Sequence, residues 1–402
     1  MGMPRVGIVG GSLAGLTAAC LLRDIGCEVE VFERSPAPLS GFGTGIVVQP
    51  ELVRYFLERT PITLERISVP SEAIRYFNAE DGSLLGEVRA HWRYTSYNAL
   101  YNGLLQSFGM ARYRLGHALV SLEQAGGGVT LGFANGRAAE FDLAVCADGS
   151  FSTARALMLG VSPRYSGYIT WRGLAPRERL TREAWDTFDN RFTYGLLNDG
   201  HLIAYPIPVP GGHLGAAERC INFQWYWNVP EGEALDRIMT GADGVRRPVS
   251  VHADALPRAA ADELRQRASE RIAFRPFVDL IGAADKPFVT IIADCDVPRM
   301  VEGRACLVGD ASIAGRPHAA AGGAKAALNA WALAEALQRS GGEVTAALAA
   351  WEPEQLRQGR HLLAKVRYMG GLLQHGGRVV PGDPLIGFGM PARDHVFLSP
   401  AV

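Results

Sequence analysis

The sequence predicts an α/β protein: a Rossmann-like dinucleotide-binding domain, an inserted domain built on a mostly antiparallel β-sheet, and a C-terminal helical segment. Three observations support this class. The first thirty-odd residues follow the order strand, glycine turn, helix, strand and acidic residue. Between about residues 160 and 290, alternating segments joined by Pro/Gly turns replace that pattern, as in antiparallel sheets. A short apolar strand and a glycine-rich helix start return after residue 300.

The same observations give the domain boundaries. We place the dinucleotide-binding domain at 1–160 and 291–340, and the inserted domain at 161–290. The C-terminal helical segment and its loop-like tail occupy 341–402. The sequence does not decide to which of the first two domains parts of 70–110 belong.

The N-terminal motif predicts a dinucleotide site. Val6–Val9 is short and β-branched, as a buried parallel strand should be, and the segment after the turn repeats apolar residues at helical spacing. Gly10, Ser12 and Gly15 stand at the three places of the G-x-G-x-x-G fingerprint, with serine at the second. Glu33, at the end of the second strand, can accept hydrogen bonds from ribose hydroxyls. The alternative is an ordinary βαβ turn.

Apolar periodicity and turn residues predict the remaining elements. The predicted helices are Glu51–Arg59, Ser96–Phe108, Leu235–Thr240, Ala259–Arg271, Ala324–Arg339 and Val344–Gly370. The predicted strands are Ala73–Asn78, Leu84–Arg89, Arg112–Glu123, Val129–Phe133, Ala138–Cys146, Tyr165–Leu174, Arg191–Leu197, Leu202–Ile207, Cys220–Val229 and Ala305–Val308. The glycines at 41, 43 and 45 indicate either a flexible surface loop or a backbone lying against a flat group.

Bulk composition excludes several classes. The net charge is −1 and the mean hydropathy +0.04, so no basic nucleic-acid surface is expected. The six cysteines show no metal-ligand spacing and mostly lie in apolar runs, which indicates free core thiols in a reducing compartment and no metal site. With no signal peptide and no apolar run of membrane-spanning length, we expect a cytoplasmic protein without a membrane partner.

Two further motifs carry polar groups at strand ends. Asp148 and Gly149 follow an apolar strand and precede Ser152 and Arg155 at fixed spacing. Later, Asp310 follows Gly309 at the end of another short strand, before the glycine-rich helix start. Strand ends of this kind meet at ligand clefts in α/β sheets. A helix-capping role is the alternative for Asp310.

Together, in this order, the three motifs resemble those of the single-component FAD-dependent aromatic hydroxylases of the para-hydroxybenzoate hydroxylase type. Two segments, 309–325 and Thr170–Gly173, look like the 2,6-dihydroxypyridine 3-monooxygenase branch. The resemblance implies that FAD is reduced by NADH or NADPH and that O2 forms a flavin C4a-hydroperoxide. One oxygen atom then passes to a small electron-rich aromatic ring such as a hydroxypyridine. Relatives in this family are commonly homodimers.

The resemblance also implies which residues hold FAD. These are Gly10, Gly11, Ser12, Leu13, Gly15, Glu33, Arg34, Val48, Leu119, Asp148, Gly309, Asp310, Gly322, Gly323 and Ala324. The aspartate of the Gly-Asp motif would bind the ribityl chain. The helix start at Gly322 would direct N–H groups at the flavin, where they stabilise negative charge on the reduced ring.

Three residues are candidates for the chemistry on the substrate side. His318 is the first candidate for the base or the substrate hydrogen bond, and Pro317 would form a rigid wall beside the ring. Tyr205 is the second candidate, on a predicted strand. Three weaker candidates, expected at the surface or in the core, are His201, His213 and Tyr226.

The chain departs from the wider family at four places. Ile313 replaces a histidine, Ala324-Lys325 an asparagine, Asn329 a helix aspartate, and Tyr97 an arginine that faces the flavin. These changes fit the pyridine branch.

Three other classes share some of these motifs. Trp225–Pro230 is similar to the W-x-W-x-I-P signature of flavin-dependent halogenases, but those enzymes need an early lysine and this chain has none before Lys286. We therefore interpret Trp225–Val229 as an aromatic sheet strand. A flavoprotein oxidase or reductase would keep the same FAD motifs. So would a flavin-binding protein without catalysis, although the intact second and third motifs argue against it.

Overall fold

The computed structural model describes residues 2–40, 45–209 and 218–397. Its strands are β1 (Arg5–Val9), β2 (Glu28–Phe32), β3 (Gly45–Val47), β4 (Ser68–Pro70), β5 (Ala73–Asn78), β6 (Leu84–Arg89), β7 (Arg93–Ser96), β8 (Tyr113–Arg114), β9 (Leu119–Ala125), β10 (Gly128–Phe133), β11 (Ala138–Phe141), β12 (Leu143–Cys146), β13 (Arg164–Pro176), β14 (Arg191–Leu197), β15 (Gly200–Pro208), β16 (Arg219–Asn228), β17 (Ser250–Val251), β18 (Phe288–Asp294), β19 (Val301–Glu302) and β20 (Ala305–Leu307). Its α-helices are α1 (Leu13–Asp24), α2 (Pro50–Arg59), α3 (Leu64–Ile67), α4 (Tyr97–Phe108), α5 (Thr153–Leu159), α6 (Arg182–Phe188), α7 (Glu233–Ile238), α8 (Arg258–Arg271), α9 (Arg275–Ala283), α10 (Gly322–Arg339) and α11 (Val344–Gln374).

The N-terminal strand lies at the centre of a six-stranded sheet with the order β19-β20-β12-β1-β2-β8. All neighbours pair in parallel except β19, which is antiparallel to β20. Val6 and Ile8 are fully buried because helices cover the sheet, and α1 packs against α10. The prediction of a Rossmann-like parallel sheet is confirmed.

The second large sheet has eight strands in the order β17-β18-β13-β16-β15-β14-β5-β6. Its pairs are antiparallel apart from β14 with β5, so the prediction of a mostly antiparallel sheet is confirmed. Strands β5 and β6, from the region that the sequence left open, belong to this sheet. Strand β18 crosses the boundary that we placed at residue 290. The domain division itself stays a prediction.

Two predicted strands are wrong as single elements. The segment Arg112–Glu123 bends at Gly116, whose φ is +68°, and divides into β8 and β9 of different sheets. The segment Ala138–Cys146 divides at Asp142, which exchanges hydrogen bonds with the backbone of Arg5 at 2.8 and 2.9 Å. Apolar periodicity continued through both breaks, and only the tertiary pairing separates the halves.

The C-terminal helix is longer than predicted. Gly370 and Gly371 do not end α11, which continues to Gln374 and also contains Pro353. The tail beyond it is loop-like, as predicted, apart from a 3₁₀ turn at Pro384–Ile386. We call residues 379–390 the C-terminal strap, because Phe388 in this segment packs edge-on against Phe192 of the eight-stranded sheet, with ring centroids 4.8 Å apart.

All six cysteines are free and buried, as expected for core thiols. Among the described ranges, the structure has no helix that is long and apolar enough to cross a membrane.

Candidate active site

The first motif forms a tight turn between β1 and α1. Gly10 has φ +97°, and a Cβ on Gly15 would lie 1.8 Å from the Gly10 carbonyl oxygen, so both positions require glycine. Ser12 begins α1 but its side chain does not cap the helix; its hydroxyl is 2.8 Å from that of Tyr97. Glu33 is buried at the end of β2, and its carboxylate accepts from the Gly11 N–H at 2.8 Å.

Four further residues that the resemblance assigns to FAD, between residues 13 and 119, lie apart from one another. Leu13 lines the central cavity described below, whereas Arg34 is exposed. Val48 is buried beside that cavity, after β3, and its N–H donates to the Arg93 carbonyl at 2.8 Å. Leu119 lies in the core at the start of β9, opposite Phe133.

The polar side chains of the second motif form hydrogen bonds with other groups of the protein. The Asp148 carboxylate accepts from the Ser152 hydroxyl at 2.5 Å and from the Ala154 N–H at 3.0 Å, and so caps the start of α5. Arg155 is fully buried and donates to the Asp310 and Ala311 carbonyls at 3.2 and 3.1 Å. This arginine therefore joins the second motif to the third.

Two side chains of helix α10 form hydrogen bonds with the third motif. Gly309 has φ +59°, and its N–H donates to the Asn329 side chain at 3.0 Å, while Lys325 Nζ donates to its carbonyl at 2.5 Å. Asp310 lines the cavity, with one carboxylate oxygen accepting from the Ser150 hydroxyl at 3.2 Å. An ideal Cβ built on Gly322 would lie 3.8 Å from the other oxygen.

The start of α10 faces the same cavity. Gly322 and Gly323 line the cavity, and no side chain caps the helix and no acidic residue occupies its first turn. A Cβ on Gly323 would press against Leu52 at 3.0 Å. Ala324 is fully buried behind them.

The cavity lies against the eight-stranded sheet, next to the starts of α1 and α10 and to α11, and has a volume of about 250 Å³. It brings together seven of the predicted site residues: Leu13, Tyr205, Asp310, Pro317, His318, Gly322 and Gly323. Aromatic side chains from β14, β15 and β16 and Phe388 of the C-terminal strap form much of the remaining wall. A mostly apolar cavity with a few polar groups suits a small aromatic ligand.

His318 is a buried polar group in the wall of this cavity. It is 5% exposed, and its Nε2 lies 2.7 Å from the Tyr168 hydroxyl, whereas its Nδ1 has no hydrogen-bond partner among the described residues. Burial lowers the pKa of His318 well below its usual value, with further lowering from His201 and Arg316. The imidazole is therefore neutral at pH 7.

Comparisons with known proteins agree with this geometry. The "FAD binding domain-like" family profile matches residues 165–294, and the "Pyridine nucleotide-disulphide oxidoreductase" profile matches residues 5–49. The solved structure of 2,6-dihydroxypyridine-3-hydroxylase from Arthrobacter nicotinovorans superposes with a TM-score of 0.93 at 48% identity, covering 100% of this chain and 99% of that one. The 3-amino-4-hydroxybenzoate 2-monooxygenase PtmB3 of Streptomyces platensis is 28% identical, covering 91% of this chain and 88% of that protein.

The deciding comparison is with the 2,6-dihydroxypyridine 3-monooxygenase of Paenarthrobacter nicotinovorans. It is 49% identical over 391 residues, which cover 97% of this chain and 96% of that protein. The chain belongs to the FAD-dependent aromatic hydroxylases. The resemblance drawn from the three motifs is confirmed, and this hydroxylase is a monooxygenase that uses FAD with NAD(P)H as the reductant.

The residues of the hydroxylase fit FAD. The glycine turn at Gly10 allows a ligand to approach the backbone closely, and Ser12 does not cap the first turn of α1 with its side chain, which suits a pyrophosphate. The glycines at the start of α10 leave N–H groups and a positive helix end facing the cavity, which suits an electron-rich ring edge. Asp310, between these two helix starts, can accept from hydroxyls of the chain that links pyrophosphate and ring.

Sequence reasoning underestimated part of the substrate side. His201 and Tyr226, weighed as surface or core residues, are buried and line the cavity, with their rings stacked at 4.3 Å. The weaker candidate His213 and the glycines at 41 and 43 lie outside the described residues. Gln224 and Arg172, which were not candidates, also line the cavity. The alternation of β15 and β16 places Ile203 and Tyr205, and likewise Gln224 and Tyr226, on one face, but it does not show which face meets the cavity.

Proposed function

We propose that this hydroxylase adds one oxygen atom to an electron-rich N-heteroaromatic ring of the hydroxypyridine class, next to a ring hydroxyl. The observation that carries the proposal is His318: a neutral, buried imidazole in the wall of a cavity of about 250 Å³, with an Nδ1 that has no hydrogen-bond partner among the described residues. The name of the relative that shares almost half of its residues with this chain, given both for its sequence and for its solved structure, supports this substrate class.

His318 acts in this proposal as hydrogen-bond acceptor and base for the ring hydroxyl. We assign the Nε2 proton to the bond with Tyr168, which leaves the Nδ1 lone pair for the substrate. As the ring hydroxyl donates a hydrogen bond to Nδ1 and its proton shifts toward the imidazole, electron density at the neighbouring ring carbon rises. The activated carbon is then the site of oxygen transfer.

Arg172 supplies the electrostatic part of the site. Burial raises the pKa of Tyr226 to about 12, and the Arg172 cation opposes that rise, as it does for the buried Tyr205. A cation that stabilises these two phenolates through space also stabilises the oxyanion of a ring bound between them. The Arg172 cation thus offsets part of the cost of burying the deprotonated, electron-rich form of a hydroxylated ring.

Tyr205 and Pro317 position the ring. Tyr205 packs directly against Gly45. An added Cβ at Gly45 would lie 2.6 Å from the tyrosine ring, so there is no space between them for a side chain. Pro317 has no N–H to offer the ring and begins the 3₁₀ turn that carries His318. Bound FAD, once reduced by NAD(P)H, supplies the oxygen chemistry, and the residues described here orient the ring and exclude water.

We extend the proposal to the setting of the enzyme. Six buried free thiols support a reducing, cytoplasmic location. The family resemblance supports a homodimer. The sheet compositions support the division into a FAD-binding domain at 1–160 and 291–340, a substrate domain at 161–290 and a C-terminal segment at 341–402.

The experiment is to follow NADH and NADPH oxidation and O2 uptake by the FAD-loaded protein against hydroxylated pyridines and phenols, with mass analysis of products. We expect a dihydroxypyridine to accelerate NAD(P)H oxidation and to gain one oxygen atom. Acceleration by every pyridine with peroxide as the sole product would instead assign an oxidase or reductase. Hydroxylation restricted to phenols would contradict the substrate class while leaving the family intact.

A further inference from the structure

Asp294, at the end of β18, is a buried carboxylate behind the cavity wall. It is 7% exposed, and its Oδ2 accepts from Arg316 Nε at 3.2 Å and from Arg367 Nε at 3.1 Å. Its Oδ1 is buried without a hydrogen-bond partner among the described residues. Burying a carboxylate is costly unless it is paired, and here two arginines supply the pairing.

Arg316, which pairs with Asp294, also contacts Tyr168. The guanidinium carbon lies 5.5 Å from the centre of the Tyr168 ring. Both side chains meet over Gly370 of α11: a Cβ there would lie 2.6 Å from Arg316 Nη1 and 3.1 Å from the Tyr168 hydroxyl. Any other residue at 370 would drive the two side chains apart, which explains a glycine in the interior of a long helix.

Tyr168 completes the connection to the cavity. Its hydroxyl lies 2.7 Å from Nε2 of His318, and the two rings stack with centroids 5.8 Å apart. Asp294, Arg316, Tyr168 and His318 therefore form one continuous set of contacts, which we call the Asp294 brace. Of these four residues, Arg316 and His318 line the cavity, whereas Asp294 and Tyr168 do not.

We propose that Asp294 is a positioning residue for His318: by holding Arg316 over Tyr168, it fixes the tyrosine hydroxyl on Nε2 and so keeps the Nδ1 lone pair toward the ring. This inference rests on the proposed role of His318. A carboxylate that only joined β18 to α11 would need Arg367 alone, whereas Asp294 also holds the arginine that lines the cavity.

The chain offers a matched control two residues away. Asp296 also pairs with an arginine of α11, Arg360, at 3.1 Å, but both partners are about half exposed, at 43% and 45%. We expect Asp294→Asn to lower kcat about tenfold with KM within about twofold, because the ring still binds but His318 is less well placed. Asp296→Asn should leave kcat and KM unchanged, since exposed pairs contribute little.

Coupling to Tyr168 separates positioning from general loss of structure. If the brace acts through the tyrosine, Tyr168→Phe and the double variant with Asp294→Asn should have nearly the same kcat, and Asp294→Glu should recover part of the loss. Effects that multiply in the double variant would overturn the proposal. Should Asp294→Asn fail to retain FAD or fold, Arg316→Lys tests the same step and should lower kcat alone.

His318→Ala distinguishes this inference from the proposed function. Unchanged kcat in His318→Ala would remove the role of His318 and the brace with it. A large loss in His318→Ala beside an unchanged Asp294→Asn would reject the brace alone.

Discussion

At the scale of single residues, Lys325 differs from the two other lysines by its surroundings. Lys286 is exposed, and Lys365 is buried in α11, where Nζ donates to the Gly389 carbonyl at 3.0 Å. Lys325 lines the cavity and donates to the Gly309 carbonyl, next to the Asp310 carboxylate. Burial lowers the pKa of Lys325 to about 8, although Asp310 opposes that shift. Lys325 therefore places a positive charge in the first turn of α10, at the end of the helix that is itself positive.

We expect Lys325→Met to raise the dissociation constant of FAD about tenfold, because a charged hydrogen bond that holds the Gly309–Asp310 turn is worth roughly 1.5–3 kcal/mol. Titration of the apoprotein with FAD, followed by fluorescence, measures this. Lys365→Met is the matched control: it removes an equally buried lysine and should change FAD affinity less than twofold. Equal affinities of the two variants would show that the position of the cation does not matter.

Residues on strands were the hardest to predict. The motif residues could be found from sequence because they follow glycines and strand ends, where a ligand site has a local signature. Tyr168, Arg172 and Gln224 lie on long strands whose two faces are both buried, so alternation does not distinguish them from core residues. The position of Arg172 and Gln224 at the cavity, and of Tyr168 beside His318, follows from how β13, β15 and β16 align, which only the tertiary structure gives.

At the scale of elements, the turn between β1 and α1 tolerates no added atom. A methyl group on Gly15 would lie 1.8 Å from the Gly10 carbonyl, so the strand end and the helix start would have to separate. The strand, glycine turn and acidic residue of this unit were predicted within one residue of their observed bounds. The same local patterning failed at Gly116 and Asp142, where neighbouring strands belong to different sheets.

Gly15→Ala should therefore destabilise the protein by about 2 kcal/mol or more and prevent FAD from being retained. The FAD content after purification and the Tm report both effects. Gly282→Ala is the control, because its Cβ would meet nothing within 4 Å in α9 and alanine favours a helix. A Gly15→Ala protein with the Tm and FAD content of the wild type would contradict the tight turn.

At the scale of the whole molecule, the buried histidines make stability depend on pH. Burial lowers the pKa of His201 to about 3 and that of His318 well below its usual value. The unfolded chain binds protons at both residues below pH 6.5 while the folded chain does not, so acid favours unfolding. The two neutral histidines stabilise the folded protein above pH 6.5. This contribution is lost as the pH falls from 6.5, the pKa in the unfolded chain, toward the lower pKa values in the folded chain.

His201→Asn should remove one of these contributions. Between pH 7.5 and pH 5.5, we expect its free energy of unfolding in urea to fall about 1.4 kcal/mol less than that of the wild type. His91→Asn, at an exposed position, should show the wild-type dependence. If His201→Asn matched the wild type, His201 would have to be charged in the folded protein.

The C-terminal strap has a consequence for when the enzyme first becomes competent. Phe388 closes one side of the cavity, and the Gly389 N–H donates at 2.8 Å to the carbonyl of Ala319, the neighbour of His318. During synthesis, the parallel sheet and the eight-stranded sheet already have all their strands when residue 307 has emerged. The substrate pocket still lacks a wall until Phe388 has been translated. A ribosome that stalls before Phe388, or a protease that cuts between Gln374 and Phe388, would thus leave a folded flavoprotein with an open pocket.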